Sequence, residues 1–147
     1  MQLEDKKIIG RLELIDLPDL GISELQVRVD TGAKTSSLHV DNIVKCKIKG
    51  KPCVKFDIHP DIHNVARLVS CRAPISDVRK IKSSNGEAEQ RYVIKTPVVL
   101  GGDTWLIEIT LTDRADMNNL MLFGREAIGK QFLVDPSQVF LASLESS

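Results

Sequence analysis

One aspartate stands out by the company it keeps. The run Leu25-Gln26-Val27-Arg28-Val29 alternates apolar and polar residues as a strand does, and it leads straight into Asp30-Thr31-Gly32-Ala33. A carboxylate at the end of a strand and the start of a tight turn is held firmly yet reached by water. Such a group serves as a general base if it holds a water molecule beside a carbonyl. Thr31 brings a hydroxyl that can bond across a pair of such turns, and Gly32 lets a second backbone approach closely. The chain carries this motif once. Splitting a peptide bond with carboxylates takes two of them, sharing one proton, because their proximity forces the two pKa values apart.

Far downstream comes Met121-Leu122-Phe123-Gly124-Arg125-Glu126-Ala127-Ile128, an apolar run, then Gly-Arg, then a short helix-like segment. With the D-T-G-A strand, this resembles the retropepsins, single-domain aspartic proteases that dimerise to build one active site. The polar tip Ser83-Ser84-Asn85-Gly86-Glu87 falls where that family carries its flap hairpin. A closer resemblance covers nearly the whole chain. Val27 to His39, Cys71-Arg72-Ala73-Pro74, Glu108 to Thr112, Met121 to Ala127 and Leu133-Val134-Asp135-Pro136 are similar to the signature of a retropepsin-like bacterial family labelled ATP-dependent zinc proteases. Members of that family are often linked to an ATP-grasp ligase that adds glutamates to the C-terminus of a small-subunit ribosomal protein. The resemblance implies a peptidase acting on such acidic tails, with Asp30, Thr31 and Gly32 as its catalytic turn.

The residue after D-T-G-A adds to this. Many retropepsins have an acid there, paired with the arginine of the Gly-Arg segment. Here it is Lys34, so two cations, Lys34 and Arg125, are expected near the cleft, and an anion is needed between them. A substrate carboxylate would serve. Ala33, Lys34, Arg125 and Arg79 are therefore the candidate substrate-binding residues, with Arg72 and Lys80 as further contributors. Alternatively, Arg125 bonds backbone or an internal acid such as Asp135, and Lys34 points to water.

Other chemistries find less support. The sequence contains no H-E-x-x-H and no G-x-x-x-x-G-K-S/T phosphate loop. His59 and His63 are separated by Pro60 and Asp61, which read as a loop. With Asp57 or Asp61 they would make an opportunistic metal site at most. No metal and no cofactor is expected, and ATP dependence would have to come from a partner. His39 is expected to pack near the strand. Ser36 and Ser37 lack a His/Asp partner at nucleophile spacing. Cys46, Cys53 and Cys71 form no CxxC pair and read as reduced, packed thiols.

The elements that must place Asp30 are mostly of period two. Strands are expected at Ile8–Ile15, Glu24–Val29, Ile43–Lys49, Cys53–Ile58, Val65–Cys71, Val78–Lys82, Glu89–Thr96, Pro97–Leu100, Trp105–Thr112, Leu120–Phe123, Gln131–Val134 and Val139–Leu144. Pro18 to Gly21, Gly50-Lys51-Pro52 and Gly101-Gly102-Asp103 are turns. Helix is confined to one short piece after Gly124. The sum is an all-β, retropepsin-like barrel occupying residues 1–147 as one domain.

With 147 residues, 42% of them hydrophobic, the chain can bury a real core. Twenty basic and twenty acidic residues leave no net charge, so nothing favours nucleic acid or a membrane. Met1 to Lys7 is charged rather than apolar, and no run is long enough to span a bilayer. A cytoplasmic homodimer is expected, with edge pairing near Ile8 and Val139. Two alternatives remain open: a binding module that holds an acidic tail without cutting it, and a metal-dependent hydrolase. A monomer drawing a second carboxylate from Asp113, Asp116 or Asp135 is a further variant.

Overall fold

The computed structural model describes residues 6–60, 67–82, 86–113 and 119–142. Its strands are β1 (Lys7–Gly10), β2 (Leu12–Leu17), β3 (Ile22–Asp30), β4 (Ser36–His39), β5 (Asp41–Ile48), β6 (Lys51–Ile58), β7 (Val69–Pro74), β8 (Asp77–Lys82), β9 (Ala88–Leu100), β10 (Asp103–Thr112), β11 (Met121–Gly124) and β12 (Phe132–Asp135). One short helix, α1 (Arg125–Ile128), follows Gly124. This is the all-β architecture expected from the alternating sequence.

Six strands close on themselves in the order β10-β4-β11-β3-β2-β9, because β9 also pairs with β10, and β8 extends the wall beyond β9. Closure leaves few free edges and turns alternate side chains inward. The inward row includes Leu25 and Val27 of β3, Ile94, Val98 and Leu100 of β9, Ile109 of β10, and Met121 and Phe123 of β11, all almost fully buried. Each contributes roughly 1.5–3 kcal/mol of burial. Strand β4, flanked by β10 and β11, has Ser36, Ser37 and Leu38 all buried. A separate three-stranded sheet, β5-β6-β7, and a two-stranded parallel sheet, β1-β12, complete the described fold.

The structure redraws several sequence-derived boundaries. The expected strand Ile8–Ile15 breaks at Arg11, where Gly10 packs so tightly on Gln138 and Val139 that a Cβ would lie 2.5 Å from the Gln138 carbonyl oxygen. The strand expected at Val139–Leu144 is absent from its described part, residues 139–142. There the amides of Leu141 and Ala142 donate to the fully buried carboxylate of Glu13 instead of to a neighbouring strand. Pro97 does not divide β9. The register runs through it opposite Leu106, so the loss of one donor leaves the strand intact. Val65 lies outside the described residues, and β7 begins at Val69.

The cysteines need a larger correction. Cys46 stands opposite Cys53 in the β5–β6 hairpin and is joined to it by a disulfide, the Cα atoms 5.0 Å apart. A spacing of seven residues says nothing until the hairpin register is known. Cys71 alone is a free, buried thiol, as expected for all three.

Candidate active site

Asp30 is the last residue of β3 and lies opposite Gly124 in the parallel register of β3 and β11. The sequence accounts for this placement. Val27 and Val29 point inward and pair with Met121 and Phe123, so the turn emerges where the barrel wall ends. Asp30 is half-buried, and its Oδ1 accepts the Gly32 amide at 3.0 Å while its carbonyl accepts that of Ala33 at 3.2 Å. The side chain thus closes its own turn, as aspartate does in an Asx turn. A Cβ on Gly32 would sit 3.3 Å from Oδ1, which is why glycine suits this position. Oδ2 has no hydrogen-bond partner among the described residues. One oxygen is therefore fixed and the other is available.

The turn is held from below by α1. The amides of Arg125 and Glu126 donate to the carbonyls of Ala33 (2.8 Å) and Lys34 (3.1 Å). The Arg125 guanidinium reaches back, its Nη1 donating to the carbonyls of Thr31 and Gly32 at 3.3 Å each. Of the two roles open to Arg125, the backbone-holding one is what the geometry places. Gly124 packs against the same loop, and its amide donates to the buried Ser36 hydroxyl at 3.0 Å. Trp105 fastens the helix from the other side. Its indole N–H donates to the Ala127 carbonyl at 3.0 Å, and its ring packs on Phe123 and Phe132.

Thr31 is exposed and Ala33 half-buried. Lys34 is 74% exposed and lies 3.8 Å from Glu126 on α1, an acid that the reading of Lys34 as an uncompensated cation overlooked. Arg79, on β8, donates to Asp77 (2.8 Å) and Glu108 (2.6 Å), so its guanidinium is already met by two acids. The flap tip Ser83–Asn85 lies outside the described residues, although β8 and β9 pair up to it, Lys82 opposite Ala88. Of the possible second carboxylates, Asp135 accepts both the amide and the hydroxyl of Ser137, Asp113 is exposed beyond β10, and Asp116 lies outside the described residues.

His59 pairs with Asp41 at 3.2 Å, while the Nδ1 atom of His39 is buried without a hydrogen-bond partner among the described residues. Asp57 takes hydrogen bonds from Asn42 and Ser70, which hold its carboxyl below the usual range. His63 and Asp61 lie outside the described residues. Among those described, no three His, Cys, Asp or Glu side chains converge as a metal needs, so they do not fit a zinc ion. Burial pushes the Cys71 thiol up to about 11, with Asp57 adding to the rise, which makes it a poor nucleophile.

A closed barrel whose strand delivers Asp-Thr-Gly onto a short Gly-Arg helix is the architecture of the retropepsin-like family. The family model for the RimB-like proteins, described as the retropepsin-like aspartic endopeptidase RimB, matches residues 8–145, and the chain belongs to that family. It is also 46% identical over 137 residues to a probable alpha-L-glutamate ligase of Shewanella pealeana, and 44% identical over 132 residues to one of Desulfotalea psychrophila. These matches cover 93% and 90% of this chain but only 30% and 28% of the ligases, so the chain spans about a third of the curated relatives it matches. Among solved structures, Lpg0085 of Legionella pneumophila, a protein of unknown function, superposes with a TM-score of 0.76 at 30% identity. That match covers 92% of this chain and 98% of the other. No helix among the described residues is long and apolar enough to cross a membrane.

Proposed function

We propose that this protein is an aspartic endopeptidase that cuts glutamate-rich peptide tails, such as the glutamylated C-terminus of a ribosomal protein. Residues 1–147 act as one catalytic domain in a cytoplasmic two-fold dimer. The observation that carries the reading is the state of Asp30: one oxygen is tied to Gly32 and the other has no partner among the described residues, on a turn that occurs once per chain. A second protomer supplies the missing acid. The Asp30 pair shares one proton. The ionised member takes a proton from water as that water attacks the scissile carbonyl, and the protonated member donates to the carbonyl oxygen. Collapse of the tetrahedral species breaks the C–N bond, and the amine leaves with a proton from the pair. Thr31 and Gly32 orient Asp30. Water and two carboxylates suffice for this chemistry.

The β1–β12 sheet supports the dimer. Ile8 and Leu133 stand side by side in its register and are 52% and 37% exposed, an apolar pair suited to an isologous contact. Ala33 and Lys34 line the approach to Asp30, while Arg125 holds the turn behind it and Arg79 stays paired with Asp77 and Glu108. Lys34 is the cation most readily exchanged from its partner to a substrate carboxylate, since an exposed pair at 3.8 Å is worth under about 1 kcal/mol. The ligase relatives fit the same picture: a domain that trims glutamates belongs beside one that adds them. The test is a polyglutamate-tailed peptide incubated with the protein and read by mass spectrometry. Shortened products that vanish with Asp30→Asn support the reading. An uncut peptide that still binds identifies a non-catalytic module.

A further inference from the structure

We infer that the outer face of the β5–β6–β7 sheet is a second recognition site, an anion-binding groove for the distal carboxylates of an acidic peptide. The inference rests on the substrate class proposed above, but its geometry is independent of Asp30. Lys55 and Arg72 stand directly opposite each other in the β6–β7 register. Like charges in that position repel across a sheet. Neither side chain has an ion pair or hydrogen bond among the described residues.

The same molecule shows how such a repulsion is ordinarily relieved. Arg79 and Arg91 also face each other, across β8 and β9, and Asp77, Glu108 and Glu89 neutralise them. Among the described residues no such acid attends Lys55 and Arg72. Asp57, next along the face, gives its two oxygens to Asn42 and Ser70 instead. Asp41, the other acid of these strands, is turned to His59. The charge is also concentrated here. Residues 41–58 and 69–74 carry six Lys and Arg against two Asp, in a chain of zero net charge.

The two cations line a groove of about 580 Å³, with Val44, 56% exposed, on one flank and Asn42, Asp57 and Ser70 at its end. Its shape and charge fit an extended chain that presents carboxylates to Lys55 and Arg72 and methylenes to Val44. Asp57 stays ionised and disfavours a further carboxylate at that end, which limits how a bound peptide can lie. A long glutamate tail would thus be held at a second point away from the catalytic turn, raising its effective concentration there.

The experiment measures fluorescence anisotropy of a labelled polyglutamate peptide with Asp30→Asn protein, which binds without cutting. Adding Lys55→Met and Arg72→Met should weaken binding about tenfold, and Lys55→Met alone about threefold, the single exposed change keeping the test readable should the double variant unfold. A polyglutamine peptide should not bind. In protein with Asp30 intact, the same changes should raise KM and leave kcat unchanged. Binding equal to the parent overturns the proposal, as does tighter binding of a single-stranded oligonucleotide through the same pair. Loss of anisotropy in the variants, with no cleavage by protein that keeps Asp30, would leave the groove standing and remove the peptidase. Cleavage with unaltered binding would do the reverse.

Discussion

Gly124 lies opposite Asp30 in the β3–β11 register, and a Cβ on it would come within 2.7 Å of the Thr35 carbonyl carbon and 3.0 Å of the Ala33 oxygen. Both contacts are backbone and cannot swing aside. Gly124→Ala must push the Asp30–Thr35 loop out of place, at a stability cost of about 1–3 kcal/mol. Urea denaturation should show a lower midpoint with an unchanged slope, and peptidase activity should fall more steeply than stability.

Arg125 holds the turn through two carbonyls and need not touch substrate for its loss to matter. Arg125→Met should lower kcat by about 10–100-fold, because a small displacement of the reacting carboxylate is costly, while KM changes little. Steady-state kinetics separate this from direct substrate binding, which would raise KM instead.

Lys34 is expected to behave in the opposite way. Lys34→Glu removes a pair that is weak and exposed, so the unfolding free energy should change by less than about 1 kcal/mol. kcat/KM on a glutamate-rich peptide should drop about tenfold at low salt and less at high salt, where screening weakens the loss. Equal cleavage by the two proteins would remove Lys34 from substrate recognition.

The Cys71 thiol provides a pH signature. Burial raises it to about 11 from an ordinary 9.0, so the unfolded chain loses this proton first as pH rises. The unfolded state then binds fewer protons, and stability that is fully present below about pH 9 is lost as pH climbs toward about 11. Denaturation midpoints for wild type and Cys71→Ala should diverge over that window. At about pH 8 the folded thiol should resist iodoacetamide until the protein is unfolded.

Much of this was legible from local pattern. The alternation in Leu25–Val29 marks a strand because one face is buried, in Trp105–Thr112 it gives way to burial on both faces from Ile109 on, and α1 follows Gly124 where the apolar run ends. What local pattern does not carry is register. Cys46 and Cys53 become partners only through the β5–β6 pairing, and Lys55 and Arg72 become a repelling pair only through β6–β7. Glu13, a charged residue inside the apolar run of β2, is fully buried, and the amides of Leu141 and Ala142 donate to its carboxylate. Lys34 was legible as a cation but not as Glu126's neighbour, since that contact depends on how α1 sits beneath the turn.

In the proposed dimer each of two protomers gives one Asp30. Wild-type and Asp30→Asn chains refolded together in equal amounts test this directly, with cleavage of a polyglutamate-tailed peptide as the readout. If both carboxylates are required, only dimers with two wild-type chains cut, and activity falls to about one quarter of that of undiluted wild type. Retention of about one half would mean that each chain works alone, and the shared-proton mechanism would be wrong.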